Sequence, residues 1–340
     1  MSSAPSAPEE PIVCQMVAEA YHPGGLEKHF IEICNGLAGT TAVHAIAHES
    51  YRPHLRDGVI FHSFDLSRGR RNPWMLWQLV RLLRSLDADV VHAHAKKAGF
   101  ILSQVARWVP QKTVVTLHNL TAARRWMANV DGIVCVSRTI ADSLPGLPTH
   151  VVYNGIEPSH CQAPSRFVTQ GPNVLAVGRL AVAKGFDILI EAFAGVEGHL
   201  HIAGEGPERE RLVALAAERG LSDRVHFLGY RNDVPALIAA ADLVVISSRR
   251  EGFSYVFAEA MFARTPVIST EVPVPCEILP AEYLVPIGDV GALRKRIIAT
   301  LDDLPKARAA FSPWFEFARE QFTVDAMTRN IRQVYRCLAP

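Results

Sequence analysis

The segment Leu243-Val244-Val245-Ile246-Ser247-Ser248-Arg249-Arg250-Glu251-Gly252-Phe253-Ser254-Tyr255-Val256-Phe257-Ala258-Glu259-Ala260-Met261 reads as a buried strand, a polar turn and a helix. Four consecutive apolar residues suit a strand covered on both faces. Ser254 is a suitable N-cap, and the N–H groups of Tyr255 to Phe257 then form an anion site. Glu251 and Glu259 stand eight residues apart. At helical rise that is about 12 Å, enough for two carboxylates to touch opposite ends of a ligand whose phosphates lie between. Ionised carboxylates only accept hydrogen bonds, which suits the vicinal hydroxyls of sugars. The pattern fits a clamp on a nucleotide sugar. It equally fits a loop carboxylate and a solvated helix glutamate.

Outward from this segment the same alternation recurs. Upstream, strands are expected at 174–177, 199–203 and 225–228, with helices at 186–194, 208–219 and 234–241. Downstream, strands at 266–269 and 283–285 precede a helix at 290–301 and an amphipathic tail helix, 314–337. The first half shows strands at 12–18, 41–47, 59–64, 89–94, 113–117, 131–136 and 151–153. Its helices are expected at 26–37, 73–86 and 97–107, with a short one capped by Ser137. Apolar runs alternating with amphipathic segments predict parallel β/α architecture. The Pro-, Ser- and Gln-containing segment 162–172 reads as a linker. The expected division is a disordered leader 1–11, an N-terminal domain 12–161, the linker, a C-terminal domain 173–312, and a closing helix 313–340.

The 340 residues suit about two domains. A net charge of +1 gives no global reason to expect nucleic acid as a partner. Charge is nonetheless uneven. Eleven Lys/Arg lie between Arg68 and Arg125 against only Asp87 and Asp89. The six cysteines form no C-x-x-C or zinc-ligand spacing. Cys14 and Cys135 read as buried thiols, fitting a reducing cytoplasm. The leader lacks the pattern of a signal peptide, and no run has the length of a transmembrane helix. A cytoplasmic protein is expected.

Arg179 and Lys184 follow the first strand of the second half, where a parallel sheet presents its ligand edge. Arginine grips phosphate oxygens in pairs and lysine acts as a point charge; solvated cations fit the same positions. Together with Gly178-Arg179-Leu180, the motifs Lys184-Gly185-Phe186-Asp187, Gly204-Glu205-Gly206-Pro207, Phe227-Leu228-Gly229, Glu251-Gly252-Phe253 and Glu259-Ala260-Met261 occur in order. Gly24-Gly25 with Glu27 and His29, His92-Ala93-His94, Thr116-Leu117-His118 and Val152-Tyr153-Asn154-Gly155-Ile156 add to them in the first half. The chain resembles a retaining glycosyltransferase of family 4 with the α/β GT-B fold, two Rossmann-like parallel β/α/β domains facing across a cleft.

That resemblance implies roles. Arg179 and Lys184 hold the donor pyrophosphate and stabilise the leaving nucleoside diphosphate. Glu259 accepts from the ribose, and Glu251 with the backbone of Gly252, Phe253, Ser254 and Tyr255 contacts sugar and phosphates. His118 approaches the donor sugar, Gly24 and Gly25 let backbone approach the diphosphate, and Gly229 and Tyr230 line the base. The tail helix crosses back to the first domain. No metal and no cofactor are implied, since the UDP- or GDP-linked sugar is a substrate. A hexose or N-acetylhexosamine would pass to a cell-envelope glycan, lipopolysaccharide or exopolysaccharide, or to a lipid-linked acceptor. The family's usual Gly-Gly before Pro-Glu is replaced by Glu271-Val272-Pro273-Val274-Pro275-Cys276-Glu277, in which only Glu277 survives. Two alternatives share these residues: a sugar-nucleotide 2-epimerase and a non-catalytic sugar-nucleotide-binding protein.

Asp87-Ala88-Asp89 mimics a D-x-D metal motif but precedes a strand, and is read as a loop. His92 and His94 are expected to face opposite sides of their strand and so not to share an ion. Ser103 and Ser137 form no hydrolase elbow. Arg68, Arg70 and Arg71 before Trp74 and Trp77, with Arg107-Trp108 and Arg124-Arg125-Trp126, suit an anionic membrane surface on the inner face of the cytoplasmic membrane. They suit an anionic acceptor, or a packed helix with solvated arginines, as well.

Overall fold

The computed structural model describes residues 10–22, 24–67, 69–157, 167 and 169–339. The leader 1–9, Arg68 of the basic stretch, and 162–166 and 168 of the expected linker lie outside the described residues. Residues up to Gly155 together with those from Val324 onward form one unit, and Ile156–Thr323 form the other.

The first unit has a seven-stranded sheet. Its strands are β1 (Val13–Val17), β2 (Val43–Ala47), β3 (Val59–Ser63), β4 (Val90–His94), β5 (Lys112–Leu117), β6 (Gly132–Cys135) and β7 (Thr149–Val151). All neighbours pair in parallel, in the order β3-β2-β1-β4-β5-β6-β7. Every residue of β1, β4 and β6 is buried, as the central strands of a sheet covered on both faces must be. The helices are α1 (Gly25–Leu37), α2 (Pro73–Ser85), α3 (Ala95–Val105) and α4 (Arg138–Asp142). Helix α1 buries His29, Phe30, Ile33, Cys34 and Leu37, a single helical stripe. Asn72 caps α2 by accepting from Trp74 N and Met75 N, with Pro73 in the first turn.

The second unit has a six-stranded sheet of β8 (Asn173–Val177), β9 (His199–Ala203), β10 (Val225–Gly229), β11 (Leu243–Ile246), β12 (Val267–Thr270) and β13 (Leu284–Val285). Its order is β10-β9-β8-β11-β12-β13, again all parallel. The helices are α5 (Phe186–Phe193), α6 (Arg209–Glu218), α7 (Val234–Ala240), α8 (Tyr255–Phe262), α9 (Pro273–Ile278), α10 (Val290–Leu301) and α11 (Leu304–Gln321). The last helix, α12 (Val324–Leu338), belongs to the first unit, where it packs along α1.

Most elements fall within two residues of the expected spans, with three differences. The tail is two helices rather than one from 314 to 337. The break comes at Phe322-Thr323, where the Phe322 carbonyl accepts from Ile156 N (2.8 Å) instead of continuing the helix. The helix that returns to the first unit therefore starts at Val324, not at 313, and the first division falls at Gly155/Ile156 rather than after 161. Helix α9 was not expected, because the alternation Val272-Pro273-Val274-Pro275 carries no helical pattern. Glu10, placed in the leader by sequence, is bound by Arg332 and Arg336 of α12. Among the described residues, Cys14, Cys34 and Cys135 are buried and unpaired, Cys276 and Cys337 exposed. No helix there is long and apolar enough to cross a membrane.

Candidate active site

Both sheets reverse their winding at one gap, between β1 and β4 in the first unit and between β8 and β11 in the second. Ligands of open parallel sheets bind outside the strand ends at such a gap. In the second unit, the chain leaves β8 at Gly178-Arg179 and β11 at Ser247-Ser248. Lys184 Nζ donates to Glu251 Oε1 at 2.5 Å, and Ser248 Oγ donates to the same oxygen at 2.8 Å. Ser247 Oγ donates to the Lys184 carbonyl at 3.0 Å. Arg249 grips Asp187 through both terminal nitrogens, at 2.7 and 2.9 Å. Gly185 makes this approach feasible. It has φ +64°, and a Cβ there would stand 2.1 Å from the Ser247 carbonyl oxygen. Gly204 plays the equivalent part after β9, where at φ +143° a Cβ would meet the Gly178 oxygen at 2.0 Å.

Lys184 and Glu251, read separately from the sequence, are thus one ion pair. Arg179 is exposed at the same strand edge, Glu259 is half-buried on α8, and Tyr230 is exposed after Gly229 at the end of β10. Gly252, Phe253 and Ser254 are buried and Tyr255 half-buried, in the turn entering α8. Ser254 is the N-cap as expected, but its hydroxyl already accepts from Phe257 N (3.3 Å), so that N–H is not available to an anion.

In the first unit, Gly24 is the extended N-cap of α1 and no side chain caps the helix. The Glu27 carboxylate reaches back here, and a Cβ on Gly24 would meet its Oε2 at 2.7 Å. Burial raises the Glu27 pKa even though its own backbone N–H favours the charged form.

His92 and His94 do not face opposite sides. Residues two apart on a strand share a face, and their rings lie 4.4 Å apart. They belong to a buried network. Gln15 Nε2 donates to Tyr335 Oη (2.9 Å), which leaves Gln15 Oε1 to accept from His94 Nε2 (2.8 Å). Tyr335 then donates to His92 Nδ1 (2.6 Å), and His92 Nε2 donates to Thr116 Oγ1 (2.6 Å). Both imidazoles carry their proton on Nε2. The bare Nδ1 of His94 is buried without a partner, as is Nε2 of His118. One ring nitrogen from each of His29, His94 and His118 lies within 4.8 Å of the others. Burial pulls His118 down to about 4, and burial with the neighbouring rings pulls His29 and His94 well below the usual imidazole value. Three neutral imidazoles at this spacing can hold a divalent cation or meet sugar hydroxyls. A cavity of about 270 Å³ adjoins His94 and His118. At its edge Ala95 has φ +67°, a conformation that L-residues rarely adopt.

Sequence reasoning missed Gln15 and Tyr335, which meet only through the fold. The pairing of Arg249 with Asp187 escaped it as well, although Arg249 stands beside the motif. Asp87-Ala88-Asp89 is a loop, and Asp89 Oδ2 accepts from Ile12 N at 2.8 Å.

Residues 162–313 match the family model described as Glycosyl transferases group 1, and residues 23–160 that described as Glycosyltransferase Family 4. The lipopolysaccharide core biosynthesis glycosyltransferase LpsE of Rhizobium meliloti is 35% identical over 73% of this chain and 76% of its own length. The chain belongs to the family 4 glycosyltransferases. A second relative of this glycosyltransferase, LpsD of the same organism, also a lipopolysaccharide core biosynthesis glycosyltransferase, is 27% identical over 90% of this chain and 93% of its own. Among solved structures, Anabaena Alr3699/HepE in complex with UDP and glucose superposes with a TM-score of 0.83. It has 22% identity and covers 96% of this chain and 99% of its own. The glycosyltransferase fold is therefore GT-B, and its relatives include enzymes of lipopolysaccharide core synthesis.

Proposed function

We propose that this glycosyltransferase moves a hexose or N-acetylhexosamine, with retention of configuration, from a UDP- or GDP-linked sugar to a cell-envelope glycan or lipid-linked acceptor. The observation that carries the reading is the cluster of Arg179, Lys184, Glu251 and the α8 entry at the strand edge of the second sheet. Loss of a nucleoside diphosphate develops negative charge on the leaving phosphate. Fixed cations held in advance lower that barrier by electrostatics. Lys184 is held in place by Glu251, and Arg179 stands at the same edge. They supply the positive charge, so no metal is required at the phosphates. Attack comes from the face the diphosphate leaves, and the departing phosphate takes the acceptor proton. Glu259 accepts from the ribose, Gly229 and Tyr230 border the base, Gly24 and Gly25 approach the diphosphate, and His118 meets the donor sugar. A polysaccharide-building enzyme of this kind works in the cytoplasm.

The test is transfer from UDP- and GDP-sugars to envelope core oligosaccharide, with the product anomer read by NMR. Retention, insensitivity to chelator and loss of transfer in Lys184→Ala are expected. Inversion, or unchanged transfer in that variant, would overturn the mechanism. Release of nucleoside diphosphate without a glycosylated product would favour the 2-epimerase. The stacked and exposed pair Trp74 and Trp77, with Arg81 over the Trp77 ring at 4.9 Å, favours a second reading of location, peripheral contact with an anionic membrane. Failure to bind anionic vesicles at low salt would remove it.

A further inference from the structure

A groove of the first unit, about 900 Å³, is lined by the loop Gly69 to Pro73, by Lys96 and Phe100, and by Arg124, Trp126 and Met127. Its volume is that of a ligand cleft. Arg70, Arg71, Lys96 and Arg124 face it, and among the described residues no carboxylate lines it. Among the described residues, Arg70, Arg71 and Arg124 form no ion pair. Arginines elsewhere do, such as Arg249 with Asp187 and Arg332 with Glu10. The walls are built rather than loose. Gln104 of α3 donates to the Arg70 carbonyl at 2.7 Å, and Asn72 ties the other end of the loop to α2. Phe100 and Trp126 meet edge to face at 6.3 Å, and the Arg71 guanidinium lies 5.7 Å from the Phe100 ring. Gly99 leaves room for Trp126, since a Cβ there would meet the indole at 3.1 Å. Lys96 also lines the smaller cavity that holds His94 and His118, so the two spaces adjoin.

Unpaired guanidinium groups beside half-buried aromatic rings match one chemistry. Guanidinium binds phosphate or carboxylate oxygens in pairs, and aromatic faces receive the apolar faces of sugar rings. We propose that this groove binds the acceptor glycan through an anionic substituent, phosphate or carboxylate. The substituent anchors one sugar while the next reaches the cavity beside His118. The inference rests on the glycosyltransferase reading above. A membrane headgroup layer fits less well, because the groove is concave and the exposed Trp74, Trp77 and Trp108 do not line it.

The experiment is titration calorimetry on the full chain with tetragalacturonic acid, its neutral methyl ester, glucose 6-phosphate and anionic vesicles. UDP- and GDP-induced thermal stabilisation is measured in parallel. We expect the tetragalacturonide or the sugar phosphate to bind at low salt, and the ester at least roughly tenfold more weakly, since each charge-assisted contact is lost. Which of the two anions binds identifies the substituent. The double variant Arg70→Ala/Arg124→Ala should weaken the anionic probe by a similar factor. It should leave nucleotide stabilisation unchanged, which also shows that it folds. Equal binding of acid and ester together with no binding of the sugar phosphate, anion binding untouched by the double variant, or binding to vesicles alone would overturn the proposal. If neither UDP nor GDP stabilises the protein, the donor reading itself fails; if one does while no anionic sugar binds, only this inference fails.

Discussion

Lys184 is held by a carboxylate that is itself expected to touch the substrate. With 26% and 12% of their side chains exposed, Lys184 and Glu251 form a partly buried pair at 2.5 Å. Removing one partner strands the other, a larger cost than for a surface pair. Lys184→Ala should lower kcat by roughly 10²–10³, the usual effect of deleting one preorganised charge donor. The two glutamates should separate by readout. Glu259→Ala is expected to weaken nucleotide binding in calorimetry, whereas Glu251→Ala should spare it and lower transfer; the opposite pattern would exchange their roles. The buried histidines set a pH dependence. His118 titrates near 4 in the folded chain, and His29, His92 and His94 are likewise held down by burial first. An unfolded imidazole titrates near about 6.5, so below that value the unfolded chain binds more protons than the folded one. Stability contributed by these neutral rings should be full above about pH 6.5 and fall as pH drops toward about 4. Urea midpoints that do not change between pH 7 and 5 would contradict this. The motifs around Arg179, Lys184, Glu251 and Glu259 stand out in sequence because they are local, whereas the ion pair joining Lys184 to Glu251 spans 67 residues and does not. The Gln15–Tyr335–His92 network was not legible either, because its members are up to 320 residues apart in the chain.

The elements themselves were legible wherever a local pattern fixes them. Strands β9 and β11 and helix α10 match their expected bounds, because each is an apolar run or an amphipathic stripe between turn residues. The tail was misread for a non-local reason. Its helical pattern continues through Phe322, yet the Phe322 carbonyl turns to Ile156, far upstream in sequence. Turn glycines are similar, in that a glycine is visible in sequence while its conformation is not. Gly185→Ala places a Cβ 2.1 Å from a carbonyl at positive φ. It should destabilise the second unit by about 2 kcal/mol or more and loosen Lys184. A denaturant melt equal to wild type would show that the loop relaxes freely. Tyr335→Phe removes the hydroxyl that satisfies Gln15 and His92. It should cost about 1–3 kcal/mol by leaving buried polar atoms unpaired, again read by denaturant melt.

At the scale of the whole molecule, two parallel sheets reverse winding between their central strands, and the chain crosses between units twice. The second crossing sends α12 onto α1, where Met327, Ile331 and Tyr335 join the core of the first unit. The sequence showed the repeated β/α alternation and, by resemblance, the returning helix. It did not show where the crossings fall, because no local composition marks Gly155 or Thr323. The central claim is that the strand edge carrying Arg179, Lys184, Glu251 and Glu259 is a donor-nucleotide site. Its most direct test is thermal stability of wild type, Arg179→Ala and Glu259→Ala with UDP, GDP and ADP. Binding to the folded state alone raises stability by mass action, about 2.7 kcal/mol at a hundredfold excess over Kd. The account predicts that UDP or GDP raises the wild-type melting temperature and that both variants lose most of that rise. An equal rise in all three proteins, or none in wild type with any of the nucleotides, would contradict it.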